Sequence, residues 1–344
     1  MNAVQAGNIS RHLKVAPGET LAVLNPPLLE PAAAGPADVV LLYASSRAEL
    51  ETNAAAAIDA TKPGGRLWVA YPADGSADLN RNHGWGALHR ARFTATDEGT
   101  LDEQWRVTRW APLAAVPGAA IPAADMLAVG RRAQPLFRIA RAIAIPLFHL
   151  IFQFDVRGRE NIPDSAYVLI ANHLGWMDAM SLMLLFPAEP RIHFLADPTS
   201  MMRNKPLWLL VRHAGGIVPV DRAQRDHSVL FAQVRKCLER GGVVALFPEG
   251  DVGPAEGRLL PFKRGFARFA VDAGVPVLPV GLSGMRELWL GKRLRVIVGR
   301  PIATEGRSLD EVLKAGQDGV SALLPAYQEP GGRKPLRRWL TGLF

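Results

Sequence analysis

The sequence predicts an α/β protein in two parts, a small N-terminal Rossmann-like α/β domain followed by a second α/β domain. In both parts short apolar runs of strand character alternate with helix-forming stretches, which is the pattern of βαβ units. Between the parts, residues 111–134 are rich in Ala and Pro and predict a linker. We therefore expect domains at residues 1–110 and 135–325, with residues 326–344 as a basic amphipathic tail.

The first domain is predicted from a strand–helix–strand pattern. Leu21–Leu24, Asp38–Tyr43 and Arg66–Tyr71 have the apolar character of short buried strands. Residues 47–60 are rich in Ala and Glu, which favour a helix, and the Lys-Pro-Gly-Gly segment Lys62–Gly65 is predicted to end that helix with a turn. Strand, helix, turn and strand together make one βαβ unit of a parallel sheet.

The first domain looks like a small, uncharacterised bacterial α/β domain, a resemblance that implies a fold and no activity. The segments that carry it are Ala37–Leu42, Ser46–Leu50, Gly64–Pro72 and Asp78–Asn80. Lys-Pro-Gly-Gly before a strand is also typical of nucleotide-cofactor methyltransferases, but Asn25-Pro26-Pro27 follows the first strand where a Gly-rich loop is needed. We therefore expect no nucleotide cofactor, and we interpret Asp78, His83 and His89 as a solvated polar segment and not as a metal site.

The basic excess of the chain lies in its second part. Residues 1–130 carry 10 Lys and Arg against 13 Asp and Glu, whereas residues 131–344 carry 30 against 19. Such a charge suits an anionic lipid surface, a phosphorylated substrate or nucleic acid. The single cysteine, Cys237, excludes an intramolecular disulfide, and we interpret it as a buried structural thiol in a reducing compartment.

A polar pair at the end of a predicted strand is the first candidate functional site. Asn172 and His173 follow the apolar run Tyr167–Ile170, and Asp178 opens a helical pattern that continues to Phe186. Positions five apart on one helix do not face each other, whereas a strand–turn–helix returns Asp178 to accept a hydrogen bond from His173. Such a pair is an imidazole base held in one tautomer. An Asn/His turn with Asp178 as a helix cap explains the same residues, so both interpretations stay open here.

Three cations of the second part are candidate phosphate ligands. Arg222 follows an apolar strand predicted at residues 215–220, and a guanidinium at a strand end binds phosphate or carboxylate through paired hydrogen bonds. Taken alone, Arg222 is better explained by a surface ion pair with a neighbouring aspartate. Lys263 and Arg264 lie beside a predicted helix start.

Two further strands complete the second part. Glu249 and Gly250 follow the strand predicted at residues 241–246, at the edge of the sheet where ligands bind in open α/β folds. Gly250 allows a ligand to approach the backbone closely. The strand predicted at Val275–Gly281 contains two prolines, which predict an edge position or irregular pairing.

Taken in order, these blocks resemble the glycerolipid acyltransferases, the PlsC-like enzymes that esterify lysophosphatidic acid and related acceptors. The resemblance covers residues 135–305 and implies an α/β domain with a mixed sheet and flanking helices. Its blocks are Asn172-His173 with Asp178, Pro219–Arg222, Phe247–Gly250 with Pro261–Gly265, and Val275–Pro279. The sequence departs from the family at Gly175, often a small polar residue, and at Ala196-Asp197-Pro198, where an Ala-Lys phrase is common. Both departures leave the acceptor open.

The resemblance implies an O-acyltransferase of phospholipid biosynthesis, which moves a fatty acyl group from an acyl-CoA or acyl-carrier-protein thioester to a hydroxyl of a lysophospholipid-type acceptor. His173 is then the general base and Asp178 orients its ring; an imidazole, with an ordinary pKa of about 6.5, accepts a proton at neutral pH. Backbone N–H groups near Gly250 are expected to bind the oxyanion. No cofactor or metal is expected. The predicted substrate-binding residues are Asn172, Arg222, Glu249, Gly250, Lys263 and Arg264.

Two alternatives stay open at this point. Glu249 either binds acceptor hydroxyls or positions the cations, and we favour positioning because a carboxylate repels a phosphate. As to function, the second domain is alternatively a catalytically silent scaffold that binds lipid or an acyl carrier, although a binding module has no need of the His173–Asp178 pair.

We expect the protein at the cytoplasmic face of a membrane, bound to its surface, with no nucleic-acid partner. Leu136–Phe154 is mostly apolar, but Arg138 and Arg141 argue against a simple span, which needs about 20 apolar residues. An interfacial amphipathic helix and a core helix packed on the second domain both stay open. A frayed, disordered tail is one interpretation of the last residues. The other is a tail suited to an anionic membrane surface, because basic residues lie beside apolar ones in it: Arg333, Lys334, Arg337, Arg338, Trp339, Leu340, Leu343 and Phe344.

Overall fold

A computed structural model describes residues 9, 12–27, 35–73, 79, 84–112, 129–196, 209, 213–220 and 228–342. The chain divides into two compact units, Met1–Ile121 (unit 1) and Pro122–Phe344 (unit 2). Each unit has its own sheet and its own hydrophobic core. The predicted α/β class is therefore confirmed.

Unit 1 is a five-stranded sheet with flanking helices. Its elements are β1 (Leu21–Leu24), β2 (Ala37–Tyr43), α1 (Arg47–Asp59), β3 (Thr61–Pro72), α2 (Gly86–Arg90), β4 (Phe93–Thr100) and β5 (Trp105–Pro112). The strand order is β1-β2-β3-β5-β4. The β1–β2 and β2–β3 pairs are parallel, and the β3–β5 and β5–β4 pairs are antiparallel. The predicted strand–helix–strand unit is confirmed as β2, α1 and β3.

Helix α1 is capped at its start and buries one face. The hydroxyl of Ser46 accepts a hydrogen bond from Glu49 N–H, one of the first-turn donors that no helical carbonyl reaches. Leu50, Ala54 and Ala57 recur at helical spacing, and all three are buried in the cluster that contains the strand residues of one sheet face. Small alanines on that face let the helix lie close to the sheet.

The Lys62–Gly65 segment lies within β3 and does not form the predicted turn before it. Ala37 pairs with Thr61 and Val39 pairs with Arg66, so the residues of this segment stand opposite Asp38 alone. Gly64 has a left-handed φ of +78°, and a Cβ at Gly65 would lie 2.8 Å from Lys62 O. The predicted turn is therefore a bulge inside the strand, which glycine makes possible at both positions.

Unit 2 is built on a seven-stranded mixed sheet. Its elements are α3 (Pro135–Ile151), β6 (Gln153–Arg157), β7 (Val168–Ala171), α4 (Trp176–Leu185), β8 (Ile192–Ala196), β9 (Ile217–Pro219), α5 (Ser228–Glu239), β10 (Val243–Leu246), α6 (Gly265–Ala273), β11 (Val277–Ser283), β12 (Arg293–Val298), α7 (Leu309–Leu323) and α8 (Arg337–Thr341). The strand order is β6-β12-β11-β7-β10-β8-β9, and only the β11–β12 pair is antiparallel.

Both faces of this sheet are covered by apolar side chains. On one face Met177, Leu182 and Leu185 of α4 pack with alternate strand residues. On the other face the buried side chains of α5, α6 and α7, among them Val234 and Phe266, form a second cluster with the remaining strand residues. Parallel strands covered on both sides read as continuous apolar runs, which is why β7 and β10 were recognisable in the sequence.

Strand β11 lies inside the sheet, between β7 and β12, so the predicted edge position is wrong. Pro279 is tolerated because its missing N–H faces the side on which β12 has ended, where its carbonyl accepts from Gly299 N–H at 2.9 Å. The pairing shifts by one residue between the Val280–Val298 pair and the Val277–Ile302 bridge. The other half of the prediction, irregular pairing, is confirmed at this proline.

Helix α3 packs one face on unit 2 and exposes a stripe of apolar side chains. Phe137 is buried, and Phe148 and Ile151 pack against the α4 side of the core. Arg141 turns inward to donate to carbonyl oxygens at the end of α4, including Phe186 O at 2.7 Å. The exposed stripe is Leu136, Ile139, Ile143, Leu147 and Leu150. No helix in the described part of the chain is long and apolar enough to cross a membrane.

The C-terminal segment (residues 324–342) is neither frayed nor detached from unit 2. Leu340 in α8 is 2% exposed and belongs to the α4-side core. Trp176 Nε1 donates to Leu340 O at 3.1 Å. Trp339, the preceding residue, remains 61% exposed. The predicted tail is therefore amphipathic, with one face packed in the core of unit 2 and the other exposed.

Candidate active site

His173 and Asp178 meet across the turn between β7 and α4. His173 Nδ1 lies 2.7 Å from Asp178 Oδ2. Asp178 is fully buried, while the His173 side chain is 26% exposed. With Nδ1 as the donor to the carboxylate, Nε2 at the opposite end of the ring is the basic nitrogen.

Asp178 also caps its helix, so the two interpretations of this stretch describe one arrangement. Its Oδ2 accepts hydrogen bonds from Leu174 N–H and, at 2.8 Å, from Gly175 N–H. These donors at the start of α4 stabilise the carboxylate as an anion. The cap therefore fixes the carboxylate that orients the imidazole.

Asn172 joins two strands and does not point its amide at a ligand. Its Nδ2 donates to Leu282 O at 2.9 Å, and its Oδ1 accepts from Leu282 N–H at 2.8 Å. The residue is 2% exposed. The structure thus corrects its predicted role as a substrate contact, since both ends of the amide already hold β11.

Glu249 is a second buried carboxylate beside the pair. Its Oε1 accepts from His173 N–H at 2.9 Å, and its Oε2 accepts from Leu260 N–H at 2.7 Å. Burial raises the pKa of Glu249, and the two backbone donors oppose that shift. With 4% of its surface exposed, Glu249 positions the main chain of His173. The two predicted alternatives, acceptor contact and positioning of cations, stay predictions beside this contact with the main chain.

His173 is also fixed through its carbonyl and its ring face. Gly253 N–H donates to His173 O at 2.7 Å. The ring of Phe247 stacks on the imidazole with centroids 4.2 Å apart and planes inclined by 9°. The imidazole direction is therefore set by groups from α4 and from the loop after β10.

The two predicted cations that the structure describes, Lys263 and Arg264, lie in different surroundings. Lys263 lies against Gly250, where a Cβ would collide with its side chain. Arg264 instead forms an ion pair with Asp310 at the start of α7, at 3.1 Å, and is 73% exposed. Arg222 lies outside the described residues. Of the described cations named in advance, Lys263 is the one beside the Glu249–Gly250 turn.

Gly250 does not supply the predicted oxyanion donor itself, because its N–H donates to Phe247 O at 3.0 Å. Its left-handed φ of +72° and the close approach of Lys263 explain why glycine stands here. The residue therefore shapes the turn that carries Glu249.

Two residues near the pair, Arg286 and Glu256, were not predicted from the sequence. Arg286 Nη1 donates to Gly253 O at 2.7 Å, next to the bond between Gly253 and His173. Glu256 accepts from Gly284 N–H and Arg286 N–H, both at 3.0 Å, and ties the loop after β10 to the loop after β11. Neither stands at a strand end or in a recognisable block, so no local signal identifies it.

Cys237 is buried in α5, and burial raises the pKa of its thiol to about 12, as expected for a structural thiol. Among the described side chains, no group of three His, Cys, Asp or Glu residues is arranged to hold a metal ion. What the site offers is an imidazole oriented by a buried carboxylate, which can take a proton from a hydroxyl.

Comparison with known proteins gives a family match within unit 2 and several similar relatives. Residues 153–283 match the family model described as Acyltransferase. The 1-acyl-sn-glycerol-3-phosphate acyltransferase alpha of Ovis aries is 27% identical over 225 residues, covering 61% of this chain and 75% of the relative. The 1-acyl-sn-glycerol-3-phosphate acyltransferase of Bacillus subtilis is 29% identical over 152 residues, covering 43% and 72%. The solved structure of the 1-acyl-sn-glycerophosphate acyltransferase PlsC from Thermotoga maritima has a TM-score of 0.46 and 24% identity, covering 56% of this chain and 81% of that one.

Proposed function

This chain belongs to the PlsC-like glycerolipid acyltransferases and is an O-acyltransferase, and we propose that His173 and Asp178 carry its reaction. The donor is an acyl thioester of coenzyme A or acyl carrier protein. The acceptor is a lysophospholipid of the lysophosphatidic acid type, in keeping with the names of the relatives. No resident cofactor takes part.

The reaction follows from the imidazole and its carboxylate. His173 Nε2 takes the proton of the acceptor hydroxyl as that oxygen attacks the thioester carbonyl, and Asp178 stabilises the imidazolium that forms. The tetrahedral intermediate then expels the thiolate, which receives the proton from the imidazolium. An ester and a free thiol result, and the base is regenerated. The attacking hydroxyl belongs to the substrate, so no serine nucleophile is needed.

One observation carries this proposal, the 2.7 Å contact between His173 Nδ1 and the buried Asp178 Oδ2. A buried carboxylate that orients a partly exposed imidazole has a use in proton transfer and none in passive lipid binding. The alternative, a silent lipid- or carrier-binding scaffold, requires no such pair.

The phosphate of the acceptor, or those of the carrier, is proposed to meet Lys263 and Arg222. Lys263 is exposed beside the Glu249–Gly250 turn, which also holds the main chain of His173. Ammonium and guanidinium groups bind phosphate oxygens by charge-assisted hydrogen bonds. Arg264 is a weaker candidate because Asp310 already pairs with it.

We further propose that unit 2 binds the cytoplasmic face of a membrane peripherally. The exposed stripe on α3 offers apolar side chains in one line, the arrangement of an interfacial helix. The C-terminal segment adds exposed Trp339 and basic residues, which suit an anionic surface. Nucleic acid is not a proposed partner.

The test is acyl transfer by purified His173→Ala and Asp178→Asn proteins, measured by mass spectrometry of pooled lysolipids and acyl thioesters. Each variant is expected to lose activity by about 10²–10⁴-fold, the contribution of a positioned general base. His213→Ala and Asp272→Asn, exposed residues of the same types, are the matched controls and should keep wild-type rates. Near-full activity of His173→Ala would eliminate the base assignment. Thioester binding without turnover by the wild type would identify the scaffold instead.

A further inference from the structure

We propose that the C-terminal segment holds the two halves of the His173–Asp178 pair in register, with Leu340 and Glu287 as positioning residues. The inference rests on the proposed function, since it gives this segment a part in the same reaction. The C-terminal segment is connected to Asp178 and to His173 by two separate series of contacts. Each series joins elements that are distant in sequence.

The first chain of contacts leads to Asp178 through the start of α4. Trp176 is the first residue of that helix, and its indole N–H donates to Leu340 O. The Leu340 side chain is buried in the same cluster as Leu174 and Met177, which lie between His173 and Asp178 in sequence. The position of the helix end that carries Asp178 therefore depends on α8.

The second chain of contacts begins at the loop between β11 and β12. Glu287 in this loop accepts from Lys334 Nζ at 3.1 Å and from Arg337 Nη1 at 3.3 Å. Thr341 Oγ1 accepts from Leu288 N–H at 2.9 Å. Two successive loop residues are thereby held by the C-terminal segment.

From the loop the contacts continue to His173. Arg286, next to Glu287, donates to Gly253 O at 2.7 Å, and Gly253 N–H donates to His173 O at 2.7 Å. The main chain of the base is thus two hydrogen bonds away from the residue that precedes Glu287. Both members of the pair are therefore connected to the same C-terminal segment. A common support of this kind keeps their 2.7 Å contact in place.

A buried ammonium group fastens the segment to unit 2. The Lys292 side chain is 1% exposed, lies 3.3 Å from Glu329 Oε1, and has its Nζ 4.0 Å from the centroid of the Trp289 ring. Burial lowers the pKa of Lys292, which is opposed chiefly by the charge of Glu329. Such a charge is stable in the interior only with a partner, so the segment has an electrostatic reason to stay docked.

The experiment compares Leu340→Ala with Leu238→Ala in the full chain. Both remove a buried leucine side chain, but Leu238 lies in the core on the opposite face of the sheet. For Leu340→Ala we expect kcat to fall by about tenfold to about a hundredfold, the loss that a catalytic group misplaced by about 1 Å causes, with the acceptor KM within about twofold. Leu238→Ala should keep the wild-type kcat per folded molecule.

A second readout needs no turnover. In protein with isotope-labelled histidine, the Nδ1 proton of His173 gives an NMR signal that His173→Ala identifies by its loss. Leu340→Ala should shift or broaden this signal, and Leu238→Ala should not. A folded Leu340→Ala protein with wild-type kcat and an unchanged signal would overturn the proposal.

Two milder variants decide the question if Leu340→Ala does not fold. Trp176→Phe removes the donor to Leu340 O, and Glu287→Gln removes the charge that holds Lys334 and Arg337. Each should lower kcat and shift the signal, unlike Glu239→Gln, an exposed residue on α5. Wild-type behaviour of both variants would overturn the inference. Absence of acyl transfer by the wild type would instead refute the proposed function, while the NMR signal would still report on the pair.

Discussion

At the scale of the residue, the direction of the His173 ring is set before any substrate arrives. Glu249 and Gly253 hold its backbone N–H and carbonyl, Asp178 holds Nδ1, and Phe247 covers one ring face. In the proposed reaction, an imidazole fixed in this way loses little entropy when the acceptor hydroxyl meets it, which is the advantage of pre-organisation. Glu249 therefore acts on the imidazole through the main chain of His173, and kinetics can measure this role.

Glu249→Gln is expected to lower kcat by about tenfold to about a hundredfold, with little change in the acceptor KM. Glutamine keeps one carbonyl oxygen, but its NH2 group faces one of the two backbone donors, so the His173 main chain shifts. Steady-state kinetics with lysolipid and thioester measure both constants, and Glu305→Gln, an exposed residue, is the control. A large rise in KM at unchanged kcat would show that Glu249 contacts the acceptor.

The pH dependence of the free energy of unfolding distinguishes a loss of kcat in Glu249→Gln from misfolding of the variant. Burial raises the pKa of Glu249, so its stabilising contribution is present below the ordinary carboxyl pKa of about 4.3 and is lost as the pH rises through the higher folded value. Glutamine does not titrate. Relative to the wild type, Glu249→Gln should therefore gain stability between about pH 4 and neutral pH. Urea unfolding at several pH values measures this, and the opposite trend would contradict it.

At the scale of the element, α3 resolves the conflict between its apolar sequence and its arginines. Arg141 serves the carbonyl groups at the end of α4, and Arg138 pairs with Glu189. Cations at a helix C-terminus are favourable, which explains the inward position of Arg141, while Arg138 stays exposed in its ion pair. The stripe from Leu136 to Leu150 remains apolar and exposed, and Leu150 is its most exposed residue at 79%.

Ile143→Glu combined with Leu150→Glu should weaken binding to phospholipid vesicles. Burying one such side chain is worth about 1.5–3 kcal/mol, so each substitution should lower the partition coefficient by about tenfold or more. Co-sedimentation with vesicles measures it. Val229→Glu, which replaces an apolar residue 54% exposed on α5, should bind as the wild type does. Equal binding by all three proteins would exclude the stripe as the membrane contact.

At the scale of the whole molecule, the charge is divided between the two parts of the chain. The excess of basic residues lies after residue 130, in the part that contains the acyltransferase family match. A positive field there raises the local concentration of anionic lipid headgroups and of phosphorylated substrates. In the proposed membrane binding, apolar contacts and charge contribute separately, and the salt dependence distinguishes the two contributions.

Binding to vesicles with anionic lipid should weaken strongly between about 0.1 M and about 1 M salt, because the screening length falls from about 10 Å to about 3 Å. Binding to neutral vesicles should change little over the same range. Arg333→Ala combined with Arg338→Ala, two exposed residues, should reduce the salt-dependent part alone. Salt-sensitive binding to nucleic acid with none to anionic vesicles would contradict the proposed partner.

The sequence by itself determined the α/β class, most strand positions and the identity of the His173–Asp178 pair. These depend on local signals: apolar runs long enough for a strand, helix-forming stretches between them, and polar residues directly after a buried strand. The turn between β7 and α4 is likewise local, so a spacing of five residues was enough to place the carboxylate against the imidazole.

Only the tertiary structure decided what supports that pair. Asn172 and Leu282 are 110 residues apart, His173 and Glu249 are 76 apart, and Trp176 and Leu340 are 164 apart. A composition or a periodicity carries no information about such contacts, because each depends on where the sheet order places its strands. For the same reason the interior position of β11, the outward turn of Arg264 and the docking of the C-terminal segment were not predictable. Local sequence determined the chemical groups, and long-range packing determined their support.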